Sequence, residues 1–215
     1  MILDRPTRSL FDSTGRRFDP ATRTWRADGA PSGDGVDMVT AATWLQRESG
    51  HPIRMPVGVV GTRDASPAQR AAAEAVGRGL AAMGFLVLCG GRTGVMEAVC
   101  KGVAEAGGVS IGLLPGRDVS DANAYATWVI TTGIGEARNA IIARAPLCLV
   151  AIGGGFGTLT EVAFGRNYGK LVVGLENAPQ AAGVVHVASP AEALELVARC
   201  AFGMEGGADV SEERR

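Results

Sequence analysis

Ile152-Gly153-Gly154-Gly155-Phe156-Gly157-Thr158-Leu159-Thr160-Glu161 is the stretch that decides the fold of this chain. The run Leu147 to Ile152 in front of it is short and apolar throughout, which suits a strand buried on both faces. Behind it, Thr158 to Tyr168 carries a helical pattern. A strand that passes through small residues directly into a helix leaves backbone N–H groups bare at the turn, and the helix start adds the positive end of its dipole. An anion is the natural guest there, and phosphate fits best. The plainer alternative is steric, with glycines that only permit a tight crossing from strand to helix.

The same grammar repeats on either side. Val57-Gly58-Val59-Val60 reads as a strand, and Ser66-Pro67 then opens a helix to about Met83, with serine at the cap and proline in the first turn. Phe85 to Cys89 is a buried strand, followed by Gly90-Gly91-Arg92-Thr93-Gly94 and a helix over Val95 to Glu105. Val109 to Leu114, Trp128 to Thr131, Leu171 to Leu175 and Val184 to Val187 supply further strands. Gly135 to Ala145 and Pro190 to Cys200 supply further helices. Apolar strands alternating with helices predict an α/β fold: a doubly wound, mostly parallel, Rossmann-like sheet with helices on both faces. Ligands of such sheets bind at the carboxyl ends of the strands, where these glycine turns fall. The Gly90 to Gly94 loop would form the wall opposite the first turn, and Gly61-Thr62-Arg63 would add a smaller third contribution.

Residues 1–50 have another texture, polar and arginine-rich with scattered aromatics. Ser13-Thr14-Gly15 suggests a small hairpin, and Met38 to Leu45 a short amphipathic helix beyond a Gly/Ser/Asp-rich stretch, Asp28 to Asp34. The expected organisation is therefore an N-terminal extension over 1–50, a nucleotide-binding domain over 51–203 and a flexible tail over 204–215. The extension could cover the main domain, contact a partner subunit or gate a site.

Composition removes several classes of function. The 215 residues carry 21 basic and 22 acidic side chains, a formal charge of -1, without the positive bias of a general nucleic-acid or anionic-membrane binder. The four cysteines form no CxxC pair and the two histidines stand far apart, so no metal site and no resident cofactor are expected, and the thiols read as reduced core residues. With no membrane span and no secretory leader in view, a soluble, cytoplasmic location is expected. Lys101 and Lys170 are the only lysines and neither follows a GxxxxGK[ST] loop, which disfavours ATP hydrolysis and a pyridoxal-phosphate Schiff base. From Gly153 the third glycine of a dinucleotide fingerprint is replaced by Thr158, although Glu176 lies near where a ribose-binding acid belongs.

Two side chains stand beside the main turn. Glu161, one turn into the helix, is placed to reach a sugar attached to a bound phosphate and to steady an oxocarbenium-like charge. Arg138, in Gly133-Ile134-Gly135-Glu136-Ala137-Arg138-Asn139, offers a guanidinium suited to a phosphate or a departing base.

GGxxGxM after the second strand, an E-x-R segment and a closing GGxGTxxE resemble the LOG-like proteins, phosphoribohydrolases of cytokinin riboside 5'-monophosphates that often carry a lysine decarboxylase label. The resemblance covers about residues 56 to 200 and implies Arg138 and Glu161 as a catalytic pair, with Gly154, Gly155, Phe156, Gly157 and Thr158 taking the phosphate. This chain has Gly153 where that family has proline and Asn139 where it has lysine. Those departures look more like a sister branch with molybdenum-cofactor carrier proteins and other relatives in the DprA-like superfamily. The resemblance thus implies a small phosphorylated ligand: in the main reading a purine nucleoside monophosphate cleaved to base and ribose 5-phosphate, in the alternative a cargo such as molybdenum cofactor released unchanged. It also implies a homo-oligomer, a dimer or tetramer.

Overall fold

The computed structural model describes residues 1–27 and 31–204. The chain opens with β1 (Ile2–Asp4), β2 (Ser9–Phe11), β3 (Arg16–Asp19), β4 (Thr24–Ala27) and β5 (Asp34–Gly35), followed by α1 (Met38–Arg47). Then come β6 (Val57–Gly61), α2 (Pro67–Met83), β7 (Val87–Cys89), α3 (Val95–Glu105), β8 (Ser110–Leu114) and β9 (Trp128–Thr131). A 3-10 turn over Gly135–Arg138 leads to α4 (Asn139–Arg144), β10 (Leu149–Ile152), α5 (Phe156–Asn167), β11 (Val172–Leu175), β12 (Val185–His186) and α6 (Pro190–Ala201).

Seven strands form one sheet in the order β12-β11-β10-β6-β7-β8-β9, and every neighbouring pair is parallel. Its central strands β6, β7, β10 and β11 are almost entirely buried, which is why they read as unbroken apolar runs instead of alternating ones. The chain builds outward from β6 to β9, crosses back to β10 and then builds outward the other way. β6 and β10 are therefore adjacent strands whose following connections diverge, and a crevice opens at their carboxyl ends.

Local chemistry fixes the helices. Ser66 and Gln69 close a reciprocal capping box on α2, Asp37 caps α1 and Ser189 caps α6. Within Gly102 to Gly108, Gly102 lets α3 lie against α2, since a Cβ there would stand 2.1 Å from the Glu74 carbonyl oxygen.

The amino-terminal region exceeds the expected hairpin and helix. Ser13 to Gly15 do turn β2 into β3, but those strands belong to a five-stranded antiparallel sheet of order β4-β3-β2-β1-β5. The short, arginine-rich strands lack an apolar alternation long enough to announce themselves. The turn is held by the buried Asp12 carboxylate, which accepts the Thr14 and Arg16 amides at 2.9 Å each and the Arg16 Nε at 2.7 Å. Burial alone would raise its pKa, but hydrogen bonds from Thr14 and Arg16 outweigh that and hold it at about 2. Leu3, Leu10 and Phe18 enter the same core as α1, α2 and α6. Phe18 packs on Trp25 and Phe202, and the Trp25 indole N–H donates to the Phe202 carbonyl at 3.1 Å. The antiparallel sheet thus packs against α1 and the carboxyl end of α6. The expected tail over 204–215 falls outside the described residues apart from Met204, as do residues 28–30 of the Asp28 to Asp34 stretch.

Candidate functional site

The crevice between β6 and β10 is a cleft lined by residues from four separate connections. Gly61, Thr62, Arg63 and Asp64 follow β6, Gly90, Arg92 and Met96 follow β7, and Glu136, Arg138 and Asn139 precede β10. Gly155, Phe156, Gly157, Thr158 and Glu161 follow β10. Gly91, Thr93, Gly94 and Gly154, also expected at the site, do not line it. Glu176 is absent from the lining as well; its carbonyl accepts from Gln69 at 3.2 Å, so the dinucleotide reading loses its ribose-binding acid. None of the described residues of the amino-terminal sheet lines the cleft.

The start of α5 differs from those of α1, α2 and α6. Its N-cap residue is Gly155, with no side chain to satisfy the first amides. Ideal Cβ atoms at Gly155 and Gly157 would meet no other part of the protein within 4 Å, so packing does not demand glycine at either place. Bare backbone facing a cleft at a helix start has the chemistry to accept an anion. Gly154 serves the turn itself: its φ is 146° and a Cβ would stand 2.6 Å from that of Thr158.

The second glycine loop is made differently. Gly94, at φ 73°, is pressed against the Thr62 and Arg63 carbonyl oxygens, 2.4 and 2.3 Å from an ideal Cβ. The Val95 amide at the start of α3 is already taken by the Thr62 carbonyl at 3.0 Å. Asn123 clamps this loop, its side-chain amide donating to the Gly91 and Arg92 carbonyls at 3.0 and 3.1 Å. The wall it gives the cleft consists of Gly90, Arg92 and Met96, the last a core residue that also faces the opening.

At the edge of the cleft Arg138 and Glu161 lie 23 positions apart in sequence and 3.3 Å apart in space, only 5% and 6% exposed. Asn139 holds the arrangement. Its side-chain oxygen accepts from Arg138, and its amide donates to the Thr160 hydroxyl at 3.0 Å. Burial pushes the Glu161 pKa up to about 8; Arg138 pulls it down by less, and nearby Glu136 pushes further up. At neutral pH Glu161 therefore holds a proton most of the time. The Arg138 Nε is buried with no acceptor among the described residues, whereas Arg63 and Arg92 line the opening with no acid partner among them. Sequence reasoning passed over Asn123, Asp64 and Glu136 as site residues; only Glu136, inside the E-x-R segment, carried a signal.

No group of three or more His, Cys, Asp or Glu among the described residues is placed to hold a metal ion. All four cysteines are buried and none is in a disulfide. No helix among the described residues is long and apolar enough to cross a membrane.

A parallel seven-stranded Rossmann-like sheet with a glycine cradle at its switch point defines the class: an α/β protein of the LOG and DprA-like superfamily. The chain belongs to the SLOG cluster4 family, whose model matches residues 54–199. It is similar to the molybdenum cofactor binding protein of Rippkaea orientalis, with 32% identity and a TM-score of 0.63 over 67% of this chain and 96% of that one. It is also similar to the molybdenum cofactor carrier protein of Chlamydomonas reinhardtii, with 36% identity and a TM-score of 0.63 over 68% and 98%. An uncharacterized protein of Archaeoglobus fulgidus is 35% identical over 140 residues, 65% of this chain and 92% of that protein. DNA processing protein A of Streptococcus pneumoniae, at 19% identity and a TM-score of 0.54, shares the fold.

Proposed function

We propose that this protein binds and releases unchanged a phosphate-bearing, nucleotide-like cargo of the molybdenum-cofactor type. The observation that carries the reading is a division of labour in the cleft. The Gly155 to Gly157 turn, Arg63 and Arg92 are open to a ligand, whereas Arg138 and Glu161 are buried and engaged with one another. Amides of residues 155–158 would take the phosphate, the two arginines would neutralise its remaining charge, and exposed Phe156 would offer a flat apolar surface to a ring system. The likeness to proteins described as molybdenum-cofactor carriers supports the same reading.

One observation favours a second reading, N-glycosidic hydrolysis of a purine nucleoside 5'-monophosphate. Glu161 keeps its proton near neutral pH beside a fixed guanidinium, which is the state a general acid needs for protonating a departing base. Incubation with AMP separates the two. The carrier reading expects saturable binding and no free adenine; multiple-turnover release of adenine and ribose 5-phosphate that disappears in Glu161→Gln would replace it with the hydrolase.

A homo-oligomer belongs to the same proposal. Ile141 on α4 and Leu159 and Phe164 on α5 are exposed apolar residues beside the cleft, the surface on which a second copy would sit. Light scattering expects a dimer or tetramer, and Leu159→Asp together with Phe164→Asp should yield monomer.

A further inference from the structure

A second hollow lies between the β3–β4 turn, with Pro20, Ala21 and Arg23, and the segment Gly50 to Arg54. Arg54 stands just before β6, at the amino end of the strand whose carboxyl end opens into the cleft, so the two sites are on opposite edges of the sheet. Its chemistry is one-sided. Arg23, Arg54 and His51 line it, and no carboxylate does.

Among the other arginines of this region, Arg5, Arg16 and Arg26 each meet a carboxylate, at 3.0, 2.7 and 2.7 Å. Arg23 and Arg54 meet none among the described residues, although Arg23 is partly buried and burial lowers its pKa. The Cys200 thiol opposes that lowering more weakly than burial drives it, and a partly desolvated guanidinium without a carboxylate partner is costly. Arg23 is also held in place: its φ is 58°, its amide donates to the Asp19 carbonyl at 2.7 Å, and the Asp19 carboxylate accepts the Ala21 amide at 3.0 Å. A non-glycine residue in the left-handed region, on a turn braced by an aspartate, holds its backbone there at a conformational cost.

We infer that this hollow binds a small phosphate-class oxyanion, gripped by the guanidinium groups of Arg23 and Arg54 with His51 at the rim. Two forked donors suit a tetrahedral anion with several oxygens. Such an anion would fasten the amino-terminal sheet to the edge of the parallel sheet. Arg23 and His51 lie outside the matched residues 54–199 and Arg54 is the first of them, so the site straddles that boundary.

The test is a titration of inorganic phosphate into the full chain followed by amide NMR, with sodium chloride at matched ionic strength as control. The Ala21 and Gly50 amides are expected to shift saturably with phosphate and not with chloride. Arg23→Gln and Arg54→Gln should each weaken that binding about tenfold, the scale of one lost charge-assisted contact. Shifts at Gly155 and Gly157, in the cleft, should be unaffected by either variant. Arg54 is exposed on a loop, so its variant keeps the test open should Arg23→Gln fail to fold. Glycerol 3-phosphate titrated in parallel distinguishes an organic phosphate, which would bind more tightly, from the free ion; either ranking supports the site. Absent or unsaturable shifts, equal shifts with chloride, or shifts that survive both substitutions would overturn it.

Discussion

The two glycine loops at the carboxyl edge of the sheet share one plan, strand then glycine turn then helix, yet do opposite things. In the Gly90 to Gly94 loop the space beside Gly94 is filled by the Thr62 and Arg63 backbone, and the first amide of α3 is already bonded. In the Gly153 to Gly157 loop the space beside Gly155 and Gly157 is empty, and α5 begins without a side-chain cap. Glycine is required in the first by the protein's own packing. In the second, what it leaves open is backbone N–H facing a cleft. A run of glycines is thus a statement about close approach, and only the surroundings say whether the approaching group is protein or ligand.

Substitutions at the two loops should separate these roles. The largest effect is expected from Gly94→Ala, which meets both a left-handed backbone and two carbonyl oxygens closer than any Cβ tolerates. A loss of roughly 3–5 kcal/mol in urea unfolding is expected; a loss under about 1 kcal/mol would show that the loop is not packed as described. Glu161 comes next. Its folded pKa of about 8 exceeds the ordinary 4.5, so the folded state holds the proton more tightly. That stabilising preference is complete below about pH 4.5 relative to alkaline solution and is lost as pH rises through 8. The full swing is on the order of 5 kcal/mol, of which about 3 kcal/mol falls between pH 6 and pH 9, and Glu161→Gln should flatten it. Unfolding curves at pH 6 and pH 9 that remain as far apart in the variant as in the parent would contradict it.

Gly155→Ala and Gly157→Ala are the counterpart to Gly94→Ala. Both should keep stability within about 1 kcal/mol, yet weaken phosphate or AMP binding about tenfold by crowding the cradle. Calorimetry that finds affinity unchanged would return these glycines to the steric reading. The smallest change is expected from Asn139→Ala, which removes the bond to Thr160 and an acceptor for Arg138 at a cost of about 1 kcal/mol in stability. An unaltered melting temperature would mean that Asn139 does not brace the pair.

The sequence made the parallel sheet legible because its signals are local. Apolar runs with no alternation mark β6, β7, β10 and β11 as buried on both faces, and Ser66-Pro67 and Ser189-Pro190 mark helix starts within a few residues. The amino-terminal sheet was only partly legible. Of its strands, the sequence flags the β2–β3 turn through Ser13 to Gly15, while β1, β4 and β5 are two to four residues long and carry no alternation. Their pairing is decided by Leu3, Leu10 and Phe18 finding one core, which no window of sequence displays.

The site divides along the same line. That anions should gather where β10 runs into α5 follows from consecutive glycines ahead of a helix, chemistry contained in ten residues. That Arg138 meets Glu161, that Asn139 ties the pair to Thr160, and that Arg63 and Arg92 face the same opening depend on β6, β7 and β10 lying side by side, elements separated by up to about ninety positions. The chain's residues alone determined a doubly wound sheet with an anion-seeking turn. Folding decided which glycines face solvent and which face protein, and whether the buried carboxyl keeps its proton, because burial and close approach are properties of neighbours in space.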